Sequence, residues 1–341
     1  MGETSFYRCL LFVVLIGFAF GNMAHAASKA IVISVSRYPY LEKRDLEGPV
    51  NDAALMLESL RRMGLDASDI TLLSESPQAK VLPTRANILA SLAQAAKQAR
   101  PGDWMIVFFS GHGSQQPQLK AKNGYIESDG LDEIFLPRDT RRWVPEKGIV
   151  EGALLDDDIG LALGRITDRG ANVWAIFDTC HAGDMAKGGY FGPDAPVLRY
   201  ISPYSLDIPA SLITRTLSRK NPAPRLILAQ SARAKPGKVP YGQLIAFYAA
   251  GPDEPAAEEL LPTPENTSQR LRYGVFTYAL HQQLNTWQGN YQDLADGLRR
   301  FYKERPYPTP QFEGALQTVP NFPASTTPPD KTARAASLAI P

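Results

Sequence analysis

Cysteine is nearly absent: the 341 residues hold two, Cys9 and Cys180. Cys9 opens an apolar run, Cys9 to Phe20, that follows Arg8 and precedes the small-x-small site Ala24-His25-Ala26. That pattern predicts a secretory leader over residues 1–26, although Glu3 is untypical of a charged leader. The run falls short of the roughly 20 residues that span a membrane, so no stable span is expected. Removal of the leader near Ala27 would leave an exported chain, periplasmic or secreted, with one thiol and no internal disulfide. An odd cysteine in such a chain is a reactive thiol, an intermolecular bridge or an inert core residue. An excess of one charge sign is also missing, with 36 Lys and Arg against 35 Asp and Glu and a formal net charge of +1. A polyanionic partner such as nucleic acid is therefore not expected. No glycine-rich phosphate loop follows the first predicted strand, which argues against a nucleotide-binding domain. No internal repeat is apparent.

What remains is ordinary globular material, 44% hydrophobic and 21% charged, long enough for a substantial core. Predicted strands over Lys29–Tyr38, Ile70–Ser74, Trp104–Ser110 and Val173–Phe177 alternate with predicted helices. The first runs from Val50 to about Met63, with Asn51 or Asp52 as cap and Gly64 as terminator. The second covers Thr84–Ala99 and the third Ile159–Ile166, the latter preceded by Asp156-Asp157-Asp158. Later come strands at Arg225–Ser231 and Leu244–Ala250 and helices at Tyr273–Leu284 and Tyr291–Lys303. Alternation of this kind predicts an α/β fold, a mostly parallel sheet with helices on both faces. Residues 184–224 read as an inserted Gly/Pro-rich loop, and 320–341 as a disordered tail rich in Pro, Thr and Ala.

Two strand ends carry chemistry. Val173–Phe177 stops at Asp178-Thr179-Cys180-His181, and residues two apart on a strand share a face. Asp178 and Cys180 thus leave the carboxyl end of a central strand together, where open α/β sheets place their sites. A thiol needs a base to become a nucleophile at neutral pH. His281 sits in a helical pattern, as a surface or packing residue, and His181 adjoins Cys180 and diverges from its sulfur. His112 ends another central strand between Gly111 and Gly113, which allow a sharp turn and close approach.

Phe108-Phe109-Ser110-Gly111-His112-Gly113 with Asp178-Thr179-Cys180-His181-Ala182-Gly183 resembles the paired signature of the metacaspase and bacterial caspase-like branch of the caspase-fold (C14-like) cysteine peptidases. Gly48-Pro-Val-Asn51-Asp52-Ala53, Asp129-Gly-Leu-Asp132-Glu, Ala249-Ala-Gly-Pro-Asp-Glu254 and Gly274-Val-Phe-Thr-Tyr-Ala279 resemble the same branch. The likeness runs from about residue 29 to 314, so residues 27–319 are read as one caspase-like domain. It implies a caspase-like fold and an endopeptidase in which Cys180 attacks the peptide carbonyl and His112 moves the proton. The backbone N–H groups of Gly113 and Cys180 would hold the oxyanion. It also implies that Asp52, Ser110 and Asp178 line the primary specificity pocket, which calls for a peptide or protein substrate with Arg or Lys before the cut. No cofactor is needed for that chemistry. Asp132, Asp156 and Asp157 match acidic positions that bind calcium in many metacaspases, so calcium is expected as an activator at most. Lys187 stands where the pattern has a further acid, with Asp184 nearby, and Pro49 replaces a cysteine often found beside the pocket. Two other readings stay open: a caspase-fold binding or scaffold module without protease activity, and a legumain-like hydrolase or ligase. The passage after Gly183 carries Lys187, Arg199, Arg215, Arg219 and Lys220, residue types such a pocket accepts, so self-cleavage is expected there.

Overall fold

The computed structural model describes residues 26–118, 130–180, 194–217, 241–251, 254–266, 268–303, 305 and 308–322. Residues 1–25 of the expected leader, His181, Asp184, Lys187, Arg219, Lys220, the strand expected at 225–231 and most of the tail lie outside the described residues.

The strands, in chain order, are β1 (Ser28–Ser34), β2 (Ile70–Leu73), β3 (Trp104–Ser110), β4 (Gly113–Pro117), β5 (Leu131–Phe135), β6 (Trp143–Val144), β7 (Ile149–Val150), β8 (Leu154–Leu155), β9 (Asn172–Asp178), β10 (Val197–Leu198), β11 (Leu244–Tyr248), β12 (Ala257–Pro262), β13 (Arg270–Gly274) and β14 (Gln311–Gly314). The helices are α1 (Gly48–Arg62), α2 (Arg85–Gln98), α3 (Asp156–Thr167), α4 (Ala210–Leu217), α5 (Val275–Leu284) and α6 (Tyr291–Tyr302). Six strands form the main sheet in the order β14-β11-β9-β3-β1-β2. All its pairings are parallel except the one between β11 and the edge strand β14.

The central strands are continuously apolar because both faces are covered, and the period of two sorts their residues. Ile31, Ile33, Met105, Val107, Phe109, Val173, Ala175 and Phe177 pack in the cluster that includes Ile88 and Leu92 of α2 and Leu163 of α3. Ala30, Val32, Ile106, Phe108, Trp174 and Ile176 face the other way, towards Met56 of α1, Leu280 of α5 and Leu294 of α6. The same parity carries Ser110, the last residue of β3, and Asp178, the last of β9, onto the α1/α5 side. Burial of these strands supplies the main driving force at about 25 cal/mol per Å².

Several sequence expectations shift. The first strand ends at Ser34 rather than Tyr38, and Tyr38 is buried beside the site instead. Helix α1 begins at Gly48 with Pro49 in its first turn, so neither Asn51 nor Asp52 caps it. A proline there is pre-shaped for a helix start, its missing N–H being one that no helical carbonyl would meet. This leaves the Asp52 carboxylate free to point away from the helix. Tyr273 belongs to β13, and the helix after it starts at Val275. His281 is a packing residue: it is buried, and its Nδ1 lies 2.9 Å from Ser59 Oγ of α1. The described part of the expected loop, 194–217, holds β10, a short 3-10 turn (Pro203–Leu206) and α4 rather than unpatterned chain.

Candidate active site

Register decides the geometry. β3 and β9 pair in parallel with Ser110 opposite Asp178, so the residues two steps further on, His112 and Cys180, leave the sheet at the same level. Gly113 follows so closely that a Cβ there would lie 1.8 Å from the Cys180 carbonyl oxygen, an approach only glycine permits. Cys180 is fully buried, and its thiol donates to the Glu254 carbonyl (3.4 Å).

His112 is held at two points. Its backbone N–H donates to the Tyr38 hydroxyl (2.8 Å), which in turn donates to the Val35 carbonyl (3.3 Å). Its Nε2 lies 2.9 Å from the Arg44 carbonyl oxygen. A carbonyl only accepts, so Nε2 carries the hydrogen and Nδ1 of the neutral ring is the free base. Nδ1 is buried without a hydrogen-bond partner. Burial is the main cause that lowers the His112 pKa to about 4, against the smaller opposing pull of the Arg44 and Arg199 carbonyls. At neutral pH the imidazole is therefore neutral and able to take a proton.

Asp52, Ser110 and Asp178 do converge, on the α1/α5 side, and all are fully buried. Ser110 Oγ donates to Asp52 Oδ2 (2.7 Å), and the Gly274 N–H donates to Asp52 Oδ1 (2.8 Å). Thr277 N–H and Oγ–H donate to Asp178 Oδ2 (2.9 and 2.5 Å), so Asp178 also ties down the first turn of α5. Glu258 of β12 adds a third carboxylate, accepting from the Glu47 and Gly48 N–H groups (3.2 and 3.1 Å).

The pocket is filled. Arg199, itself fully buried, places Nη2 2.5 Å from Asp52 Oδ2 and 3.6 Å from Glu258 Oε2, and Nη1 3.1 Å from Asp178 Oδ1 and 3.0 Å from Ser110 Oγ. Burial alone would lower the Arg199 pKa, but Asp178, Asp52 and Glu258 together outweigh it and raise it. Three carboxylates around one guanidinium leave excess negative charge out of water. Burial accordingly pushes Asp52 up to about 7, and Glu258 up as well, against the pull of Arg199. A Cβ on Gly274 would lie 2.1 Å from Asp178 Oδ2 and 2.6 Å from Arg199 Nη1, so the bare backbone at 274 makes room for the cation.

The comparisons with known proteins fit this geometry. The family description "Metacaspase, peptidase C14 domain" matches residues 28–187. This segment is thus similar to a metacaspase-type C14 domain. It contains His112, Cys180, Asp52, Ser110 and Asp178. Metacaspase-1 of Candida albicans is 30% identical over 174 residues, 50% of this chain and 36% of that protein. Metacaspase-1A of Aspergillus fumigatus is 33% identical over 173 residues, 50% of this chain and 38% of that protein. The chain thus spans well under half the length of these relatives. A solved protein from Geobacter sulfurreducens shares the fold with a TM-score of 0.53 at 20% identity, covering 87% of this chain and 96% of that one. The caspase-like α/β fold expected from the two signatures is the fold observed.

Glu258, Gly274, Thr277 and Arg199 lie beyond the matched C14 segment and complete its pocket. Gly274 and Thr277 fall in a stretch whose resemblance was visible. Glu258 sits in an unremarkable Ala-Ala-Glu-Glu run, and Tyr38 had no signal. The acidic residues considered for calcium behave differently. Asp132 of β5 accepts from Gln118 Nε2 (2.9 Å), and Asp156 and Asp157 open α3. Among the described residues, no group of three or more His, Cys, Asp or Glu side chains is gathered to hold a metal ion. No step below runs through a metal.

Proposed function

We propose that the protein is a cysteine endopeptidase that cuts after arginine or lysine through a Cys180–His112 dyad. The observation that carries this reading is the buried pocket of Asp52, Asp178 and Glu258 holding a guanidinium beside the thiol strand end. A pocket of this charge would reject an acidic or neutral side chain, because its carboxylates would be left buried and unpaired.

In the proposed reaction, His112 Nδ1 takes the Cys180 proton as the sulfur adds to the substrate carbonyl, and the imidazolium then protonates the leaving amine. The Arg44 carbonyl keeps the hydrogen on Nε2 and so keeps the base on Nδ1. The Gly113 N–H is the described donor for the oxyanion. Water releases the acyl group and restores the thiol. Export through the leader belongs to the same reading, and the amino terminus of the isolated protein tests it. Among the described residues, no helix is long and apolar enough to cross a membrane.

The test is a panel of peptides differing only at the residue before the cut, assayed with calcium and with chelator. Arginine and lysine peptides should be hydrolysed at least about 100-fold faster, in kcat/KM, than norleucine or aspartate peptides, the scale of a differential of about 3 kcal/mol. A flat panel, or hydrolysis after asparagine, contradicts the proposal and returns the scaffold or legumain-like reading.

A further inference from the structure

We infer that Tyr38 is a positioning residue for the reaction: its hydroxyl, taking the backbone N–H of His112, fixes both the base and the peptide that offers the oxyanion its Gly113 N–H. The inference rests on the proposed Cys180–His112 peptidase and goes beyond it by giving a role to a residue outside the two signatures.

The main sheet does not itself hold His112. β3 ends at Ser110, the Gly111 N–H makes a long last bond to the Asp178 carbonyl (3.4 Å), and Gly111 then turns with φ +151°. Backbone freedom is greatest at such a glycine, so contacts beyond the sheet set where the imidazole goes. Tyr38, fully buried, supplies them. Its hydroxyl donates to the Val35 carbonyl (3.3 Å), and the Val35 N–H donates to the Ser110 carbonyl (2.9 Å), which ties the phenol to the end of β3. With its one hydrogen used there, the oxygen can only accept, and it accepts from the His112 N–H (2.8 Å). The Tyr38 ring lies against the imidazole, with centroids 5.0 Å apart and planes at 52°. A Cβ on Gly111 would come within 2.9 Å of the hydroxyl oxygen, so the glycine before the base is what lets the phenol reach it.

Tyr38 is held in its turn. The loop 36–46 is closed by the Leu46 N–H on the Ser36 carbonyl (2.9 Å), and Asp45 Oδ1 accepts from the Tyr38 N–H (2.8 Å). Asp45 adjoins Arg44, whose carbonyl takes the hydrogen of His112 Nε2. One loop therefore grips the base at its backbone, its ring face and its Nε2. The next peptide, 112–113, is planar, so its carbonyl and its N–H turn together. That carbonyl accepts from the Leu136 N–H (3.0 Å), which aims the Gly113 N–H and strengthens it as a donor. Without the Tyr38 oxygen the His112 N–H would be left buried and unpaired, a cost the backbone at 111–112 relieves by turning. The imidazole and the Gly113 N–H would move with it. Tyr38 acts through His112 and carries no proton itself. Burial pushes its hydroxyl up well above the usual phenol range, against the smaller pull of the His112 N–H.

The experiment compares wild type, Tyr38→Phe, Asp45→Ala and Asp45→Asn in hydrolysis of one arginine peptide and in inhibition by the matching arginine aldehyde, with melting temperatures measured beside them. Phenylalanine keeps the ring against the imidazole and removes only the oxygen. The expected result for Tyr38→Phe is a kcat lowered about ten- to a hundredfold, the scale of a small misplacement of reacting groups, with KM within about twofold of wild type. KM should hold because Asp52 and Asp178 take their hydrogen bonds from Ser110, Gly274, Thr277 and Arg199 rather than from Tyr38. The aldehyde, whose thiol adduct places an oxygen where the oxyanion forms, should bind more weakly by the same factor as the loss in kcat/KM. Asp45→Ala changes an exposed side chain and should lower kcat about three- to tenfold, again with KM unchanged. Asp45→Asn keeps an acceptor for the Tyr38 N–H and should restore the wild-type kcat. A Tyr38→Phe protein with kcat within about twofold of wild type overturns the inference, as does a loss carried by KM. Where Tyr38→Phe is too unstable to assay, the Asp45 pair decides, and equal kcat in Asp45→Ala and wild type overturns the inference. Wild type that hydrolyses no arginine peptide removes the peptidase reading itself, an outcome read before any variant is compared.

Discussion

Cys180→Ala should abolish hydrolysis of arginine peptides, a loss of at least about 10⁴-fold in kcat, while the protein still folds. Asp178 cannot replace the thiol, because it points into the acidic pocket and is committed to Thr277 and Arg199. The structural cost is small, because alanine leaves only a sulfur-sized gap and the thiol's hydrogen bond to the Glu254 carbonyl is weak. Such a truncation is expected to destabilise by about 1–2 kcal/mol. His112→Ala should be nearly as damaging, since paired catalytic groups act as a unit and removing either removes the pathway. Circular dichroism and melting temperature, measured beside kcat, separate catalytic loss from unfolding. Either variant retaining a tenth of wild-type activity contradicts the dyad.

Asp178→Asn should collapse the preference for arginine over neutral residues by about 30-fold to several thousand-fold, the range given by about 2–5 kcal/mol for a buried charge partner. Asparagine is the informative replacement, because its side-chain oxygen can still accept from the Thr277 N–H and hydroxyl and so keep the first turn of α5 anchored. Fold loss should be minor, and kcat/KM for neutral peptides should change little or rise. Asp52 predicts a matching pH effect. Its pKa is pushed up to about 7, so the pocket gains negative charge as pH rises through that value and arginine selectivity should increase with it. Below that region the carboxyl is protonated and the selectivity should fall. The slope should vanish in Asp52→Asn, as read from kcat/KM for matched arginine and norleucine peptides across pH.

How much of this was legible in the chain depends on the range of the interaction. The apolar strands at Trp104–Ser110 and Val173–Phe177, and the polar residues that end them, stand out because both faces of a central parallel strand are covered and only function explains an acid or a thiol at its tip. His112, Cys180 and Asp178 are singled out in this way, Asp52 and Ser110 only through the resemblance, and the structure brings Asp52, Ser110 and Asp178 together. Asp52 shows where local signals mislead. It reads as a helix cap, but Pro49 starts the helix a turn earlier and the carboxylate turns into the pocket. Tyr38, Glu258 and the seating of Arg199 depend on contacts between segments far apart in sequence, and no local pattern encodes them. Residues 194–217 look like solvated loop because their short elements have no period of their own. Their order comes from pairing with β12 and from the three carboxylates that surround Arg199.

The most direct measurement is covalent labelling of Cys180. Wild type and Arg199→Ala are treated side by side with a peptide electrophile bearing arginine at the reactive carbonyl and with its norleucine counterpart, and adducts are mapped by mass. The proposed peptidase predicts one adduct, on Cys180, with the arginine reagent alone. It should form faster in Arg199→Ala, which lacks the guanidinium that occupies the pocket, than in wild type, and it should be absent in His112→Ala on the same time scale. No adduct on Cys180, or equal labelling by the norleucine reagent, contradicts the assignment of this thiol and this pocket to arginine-directed peptide cleavage.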